Sequence, residues 1–227
     1  MYWQIVIIWS KSASGKITED KLMKRTLLII SMAVLLNSLL AITPAEVHTK
    51  LVNAYNRISS FQASVSQTNN YSSLKRTITY QGNIYYVPGK MLMHFTRPQI
   101  QRLQIDNGKI TMYDAMSNTI LRGDMQPQFA GMNPIQLLQE YWGKSTVTVT
   151  GENRSNATVR LIPRNDPMIR EIRATISRIS SLVQNLSYTE SSGNTVTYAF
   201  SNIRTNERIP ASVWTYRYPA DAQVLNQ

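Results

Sequence analysis

The sequence predicts an α+β fold: a curved antiparallel sheet, an unclosed half-barrel of about eleven strands, covered by short helices. Three observations predict it. From Leu74 onward the chain is a succession of short alternating runs broken only by compact turn signals, such as Asn153-Arg154-Ser155, Pro163 to Pro167 and Ser191-Ser192-Gly193-Asn194. Helical spacing of apolar residues occurs in only two segments of the mature chain. Finally, about eleven strands exceed what a flat twisted sheet holds without curling, so an open half-barrel closed over by helices satisfies the pattern.

Taken in order, Thr43-Pro44-Ala45-Glu46 is a helix start. Thr43 can cap, Pro44 suits the first helical position, and Glu46 is placed to complete a capping box. Val47, Leu51, Ala54, Tyr55 and Ile58 follow at helical spacing, which predicts a helix to about Arg57 with one apolar face. An extended stretch begins at Phe61-Gln62-Ala63. Strands are then predicted at 74–87, 90–97, 99–105, 110–115 and 118–125. Asn133-Pro134 opens a second helix, Ile135 to Trp142, which Gly143 is expected to close. Strands resume at 145–152, 156–162, 169–179, 182–190, 194–203 and 211–218.

The most informative stretch is 78–98. Alternation sets Ile78, Tyr80, Ile84 and Tyr86 on one face; Pro88-Gly89 turns the chain, and Met91, Met93 and Phe95 answer on the next strand. Asn107-Gly108 is a two-residue hairpin turn. Later strands add Leu103, Ile105, Ile110 and Met112, then Val196, Tyr198 and Phe200, and the last predicted strand adds Trp214, Tyr216 and Tyr218. Large apolar residues on a sheet face are mostly core. Methionine and tyrosine, however, also suit a surface that re-packs around variable guests. The candidate apolar site is therefore Ile78, Tyr80, Ile84, Tyr86, Met91, Met93, Phe95, Leu103, Ile105, Met112, Tyr198 and Phe200, under a lid bearing Leu137, Leu138 and Tyr141.

Composition removes several classes of function. There is no cysteine, hence no disulfide, thiolate nucleophile or lipid-attachment cysteine. The two histidines, His48 and His94, lie in the first helix and on the outward side of a strand, without metal-ligand spacing. No nucleophile elbow, phosphate-cradling loop or dinucleotide fingerprint occurs. No catalytic residue, metal or cofactor is expected. Residues 23–41 read as a signal peptide: Lys24-Arg25, an apolar run from Leu27 to Leu40, and Ala41 as a small exit residue. Residues 1–22 read as a mis-called upstream extension, and 42–227 as one domain in the periplasm. After Ala41 there are 19 basic against 11 acidic residues, a net charge of +8. The basic residues are scattered, so nucleic acid is not the expected partner; anionic lipid or an acidic protein fits better.

The order of these signals resembles a family. A Gly-containing strand, the turn at Pro88, a Met- and Phe-bearing strand ending in Pro98, then Asp106-Asn107-Gly108 and Tyr113-Asp114, is similar to the periplasmic outer-membrane lipoprotein carrier proteins, the LolA family, from about Pro44 to Tyr218. The resemblance implies a monomeric chaperone that holds lipoprotein acyl chains in an apolar cavity beneath a helical lid. It also implies cargo received from an inner-membrane lipoprotein-releasing ABC transporter and passed to the outer membrane or a receptor there. Family members place an Arg before the Pro of the first turn to hold the lid; here Val87 stands at that position. A lipid- or protein-sensing regulatory module on the same fold is the alternative reading, and an exported lipid-processing enzyme a third.

Overall fold

A computed structural model describes residues 42–124 and 134–226. The expected upstream extension 1–22, the export signal 23–41 and the cap at Asn133 lie outside the described residues. Helix α1, Pro44–Tyr55, begins as its sequence dictates: Thr43 Oγ1 accepts from Glu46 N at 3.2 Å, with Pro44 in the first turn. Glu46 does not close a capping box; its carboxylate takes Lys50 Nζ at 2.8 Å, one turn on. The helix stops at Asn56, two residues short of expectation, where Asn56 N donates to Val52 O.

Among the described residues twelve strands form one sheet in the order β12-β6-β5-β4-β3-β2-β1-β11-β10-β9-β8-β7. They are β1 Phe61–Tyr71, β2 Arg76–Val87, β3 Lys90–Arg97, β4 Gln101–Asp106, β5 Lys109–Asp114, β6 Thr119–Asp124, β7 Ser145–Glu152, β8 Asn156–Pro163, β9 Ile169–Ser177, β10 Val183–Glu190, β11 Thr195–Thr205 and β12 Gln223–Asn226. All neighbours are antiparallel except β12, which adds in parallel to β6. β12 and β7 are the two edges, so the sheet is not closed into a barrel. The Asn107-Gly108 turn has positive φ at both residues, 47° and 81°, as a two-residue hairpin of this hand requires. Gly82 sits where the β2–β3 register shifts, and a Cβ there would come within 2.0 Å of His94 O, so β3 approaches only because that side chain is missing.

Helix α2, Pro134–Lys144, runs through Gly143 rather than ending at it. Its last carbonyls find partners outside the helix: Arg164 Nη2 donates to Gly143 O at 3.1 Å and Arg164 N to Lys144 O at 3.0 Å. A glycine cap is then unnecessary. Both helices lie on the concave face, where Val47, Leu51, Leu137, Leu138 and Trp142 join inward residues of β1–β3 and β7–β11 in one core. His48 stacks on Trp142 at 4.8 Å and ties the helices together.

The predicted strand 211–218 does not form. Ala211–Val213 is a single 3₁₀ turn followed by irregular chain. Trp214, Tyr216 and Tyr218 do not join the concave face. They cross the back of the sheet: Tyr216 meets His94 and Tyr113, Tyr218 meets Tyr113, and Lys90 Nζ lies over Trp214. Period two in a segment flanked by Pro210 and Pro219 reflects extended chain laid over a sheet, not a ladder within it. Beneath this segment a second, smaller set of buried residues, Leu92, Tyr113 and Ile120, lies outside the main core.

Candidate functional site

Register decides which side chains share the concave surface, because residues directly opposite in an antiparallel pair point to the same side. Ile84 faces Met93, Met93 faces Leu103 and Leu103 faces Met112. Tyr86, Met91 and Ile105 form the next row, and Gly82 opposes Phe95. Through β1, Tyr80 opposes Gln67 and Ile78 opposes Asn69, which pair in turn with Tyr198 and Val196 of β11; Val65 pairs with Phe200. All twelve candidate residues thus lie on one face.

They divide by depth. Ile84, Met91, Met93, Phe95, Tyr198 and Phe200 are buried in the main core, together with Leu137 and Leu138 of α2. Ile78, Tyr80, Tyr86, Leu103, Ile105, Met112 and Tyr141 are only partly covered. Among the described residues the helices pack most closely on β7 and β8, and no described helix residue reaches the end of β4–β6 nearest the β5–β6 turn. There a cavity of about 530 Å³ opens, within the usual range for small-molecule sites. Phe95, Leu103, Met112, Leu121, Val196 and Tyr198 make its apolar wall; Gln67, Asn69, Gln101, Asp114, Glu190 and Asn194 make its polar rim. A second cavity, about 350 Å³, runs between the helices and β1–β3, lined by Tyr55, Phe61, Ile84, Tyr86, Met91 and Ile135 among others.

Ile78, Tyr80, Met93, Ile105 and Phe200 line neither cavity. Leu121 and Tyr188 line the larger one without having been singled out from sequence. Ile120 and Leu121 are adjacent apolar residues, so alternation alone does not say which points inward; the pairing of Leu121 with Met112 does.

The electrostatics suit holding rather than proton transfer. Burial raises the Tyr198 phenol far above its ordinary value, and burial, then Glu190 and Tyr71, push Tyr188 up to about 12. The wall is therefore neutral at any physiological pH. The rim carboxylates are engaged: Asp114 Oδ2 accepts from Gln101 at 2.8 Å, and Glu190 Oε2 accepts from Asn194 at 3.1 Å. Among the described residues no group of three or more His, Asp or Glu could hold a metal ion. No described helix is long and apolar enough to cross a membrane. Helix α2 is tethered at its end by Tyr141, whose hydroxyl donates to Asp166 Oδ2 at 2.7 Å in the β8–β9 loop.

A family profile described as outer membrane lipoprotein carrier protein LolA matches residues 56–217. The outer-membrane lipoprotein carrier protein of Cupriavidus pinatubonensis is 24% identical over 202 residues, covering 83% of this chain and 94% of its own. An uncharacterized conserved protein of Thermus thermophilus superposes with a TM-score of 0.53 at 12% identity, over 79% of this chain and 98% of its own. MucB in the Pseudomonas aeruginosa MucA/MucB complex superposes at 0.50 and 14% identity, over 80% of this chain and 63% of its own. At such identities the two structures establish likeness of fold alone.

Proposed function

The chain belongs to the outer membrane lipoprotein carrier protein LolA family, and from that premise we propose that it is a periplasmic carrier whose concave face takes up the acyl chains of lipoproteins. It would be exported through the segment 23–41, receive cargo from an inner-membrane ABC transporter, and release it at the outer membrane or a receptor there. The observation that carries the reading is the open, neutral, apolar wall around Leu103, Met112 and Leu121, continuous with the row of large residues running under the helices. The larger cavity is the entry. Ile84 and Met91 line the second cavity, whereas Met93, which lines neither, is a site a longer chain would reach only if the core around it opens.

The physics of such a carrier is asymmetric. Each buried methylene stabilises the complex by about 0.8 kcal/mol, so several fully enclosed chains would never leave. Here the helices already pack Leu51, Leu137, Leu138 and Trp142 into the core on this face. Cargo must displace that packing to bind, and the packing re-forms on release, which offsets part of the gain. Nothing in this cycle needs a covalent step.

The test is native mass spectrometry of protein isolated from the periplasm. The carrier reading expects a co-purified lipoprotein or acylated species, lost on delipidation without turnover to a product. The regulatory reading draws on the likeness to MucB, which is found in complex with MucA; it expects a stable complex with a membrane signalling protein and no acyl cargo.

A further inference from the structure

Three large apolar side chains project into solvent from hairpin loops at one end of the sheet: Leu74 between β1 and β2, Met116 between β5 and β6, and Met168 between β8 and β9, 70, 74 and 70% exposed. These loops form a continuous edge. Ser72 N donates to Asn194 Oδ1 at 3.1 Å, and Ser191 N donates to Met168 O at 2.9 Å, so 72–75, 191–194 and 164–168 are joined side by side. Across the opening, Asp114 and Ser117 line the same 530 Å³ cavity as Asn70, Tyr71 and Asn194. The exposed tips therefore stand around the cavity's mouth.

The charges there are sorted. Lys75, Arg76, Arg164 and Arg170 are exposed, and none forms an ion pair with a described carboxylate. Among the described residues the Arg170 side chain donates to Ser191 O and that of Arg164 to Gly143 O. The acids of the rim are each hydrogen-bonded by a neighbouring loop: Asp114 accepts from Met116 N at 2.7 Å, Asp166 from Met168 N at 2.8 Å and Ile169 N at 2.7 Å, Glu190 from Ser192 Oγ at 3.0 Å and Asn194 Nδ2 at 3.1 Å, and Asp221 from Asn118 Nδ2 at 3.1 Å. Outward-facing cations alternating with apolar tips match an interface whose surface is anionic and whose interior is hydrocarbon. A net charge of +8 after Ala41 attracts the same surface at longer range.

We propose that this rim seats the protein on an anionic phospholipid bilayer, with Leu74, Met116 and Met168 in the headgroup boundary and the cavity mouth against the lipid. The purpose of docking rests on the carrier reading, since an acyl chain could then pass between bilayer and cavity without crossing water; the docking itself is tested with empty protein.

The experiment is co-sedimentation with vesicles of phosphatidylethanolamine and phosphatidylglycerol in equal parts, against vesicles of phosphatidylcholine alone. The unmodified protein should bind the anionic vesicles, release them as salt is raised, and bind phosphatidylcholine weakly. The triple variant Leu74→Ser/Met116→Ser/Met168→Ser and the double variant Lys75→Gln/Arg76→Gln should each bind roughly tenfold more weakly. All these positions are exposed, so folding should survive, as circular dichroism would establish. Ile179→Ser, 86% exposed at the opposite end of the sheet, should bind as the unmodified protein does. Unchanged binding by the triple variant, or an equal loss in Ile179→Ser, overturns the proposal. Fatty-acid uptake read separately isolates the two ideas: vesicle docking without uptake upholds the rim and removes the carrier function.

Discussion

Met93 and Met112 stand two strands apart on the same face, yet their substitution should have different consequences. Met93 is 2% exposed in the core, whereas Met112 lines the open cavity. Met93→Glu places a carboxylate among Ile84, Leu103 and the helix residues with no partner, and should cost about 3 kcal/mol or more, seen as a large drop in the thermal midpoint. A midpoint close to that of the unmodified protein would mean that Met93 is not core. His94, one residue on, is not the solvent-facing residue that alternation suggests. It lies between Tyr216 and Arg102, with Arg102 Nη1 3.4 Å from its Nδ1. Arg102 itself is 3% exposed, donates to Val213 O at 3.0 Å, and has no hydrogen-bond partner for its Nε. Burial, then the Arg102 charge, holds the His94 imidazole below its ordinary pKa. A folded pKa below the unfolded one means that the unfolded chain binds more protons between the two. Stability is then complete above about pH 6.5 and declines as pH falls through that value toward the folded pKa. Urea unfolding at about pH 5 and about pH 7.5 should show this decline in the unmodified protein, and His94→Gln should reduce it. An unaltered slope in the variant would assign the effect to other groups.

At the scale of elements, α2 is both part of the core and the candidate lid. Leu137 and Leu138 are 2% and 0% exposed, so replacing both with serine would damage the fold rather than loosen a cover. The tether is the better probe. Tyr141→Phe removes one hydrogen bond at a half-covered position and leaves Asp166 its two backbone donors. A loss of about 1 kcal/mol in closure should raise binding of a fluorescent apolar probe to the empty protein about fivefold. Unchanged binding with an intact fold would show that this bond does not hold the helix. With Val87 in place of a latching Arg, closure would rest on this bond, on the His48–Trp142 stack and on apolar packing. Ten of the eleven predicted strands formed, because each carries its own period and a turn signal beside it; β1 was read only as an extended stretch, and both helices were legible by their period although their ends were not. The strand expected at 211–218 did not form, since its alternation matches a surface it lies across. Strand β12, Gln223–Asn226, is a short, fully exposed edge with no buried row to announce it.

For the whole molecule, the same legibility holds for the face but not for its depth. Period two identified twelve residues that share one side of the sheet. It could not say that Met93 and Phe200 are sealed while Leu103 and Met112 stay open, because that depends on where two helices come to rest across a dozen strands. Scattered charge gave no hint that exposed cations and apolar tips gather at one rim, since those loops are far apart in sequence. The central claim is that the cavity lined by Leu103, Met112 and Leu121 on the concave face admits acyl chains. Adjacent residues on β5 test it most directly, since Met112 points into the cavity and Thr111 to the back of the sheet, where it pairs with Arg122. Binding of a fluorescent long-chain fatty acid should be retained by Thr111→Glu and abolished by Met112→Glu, with both variants folded by circular dichroism. Retained binding in Met112→Glu, or equal loss in the two, would contradict it.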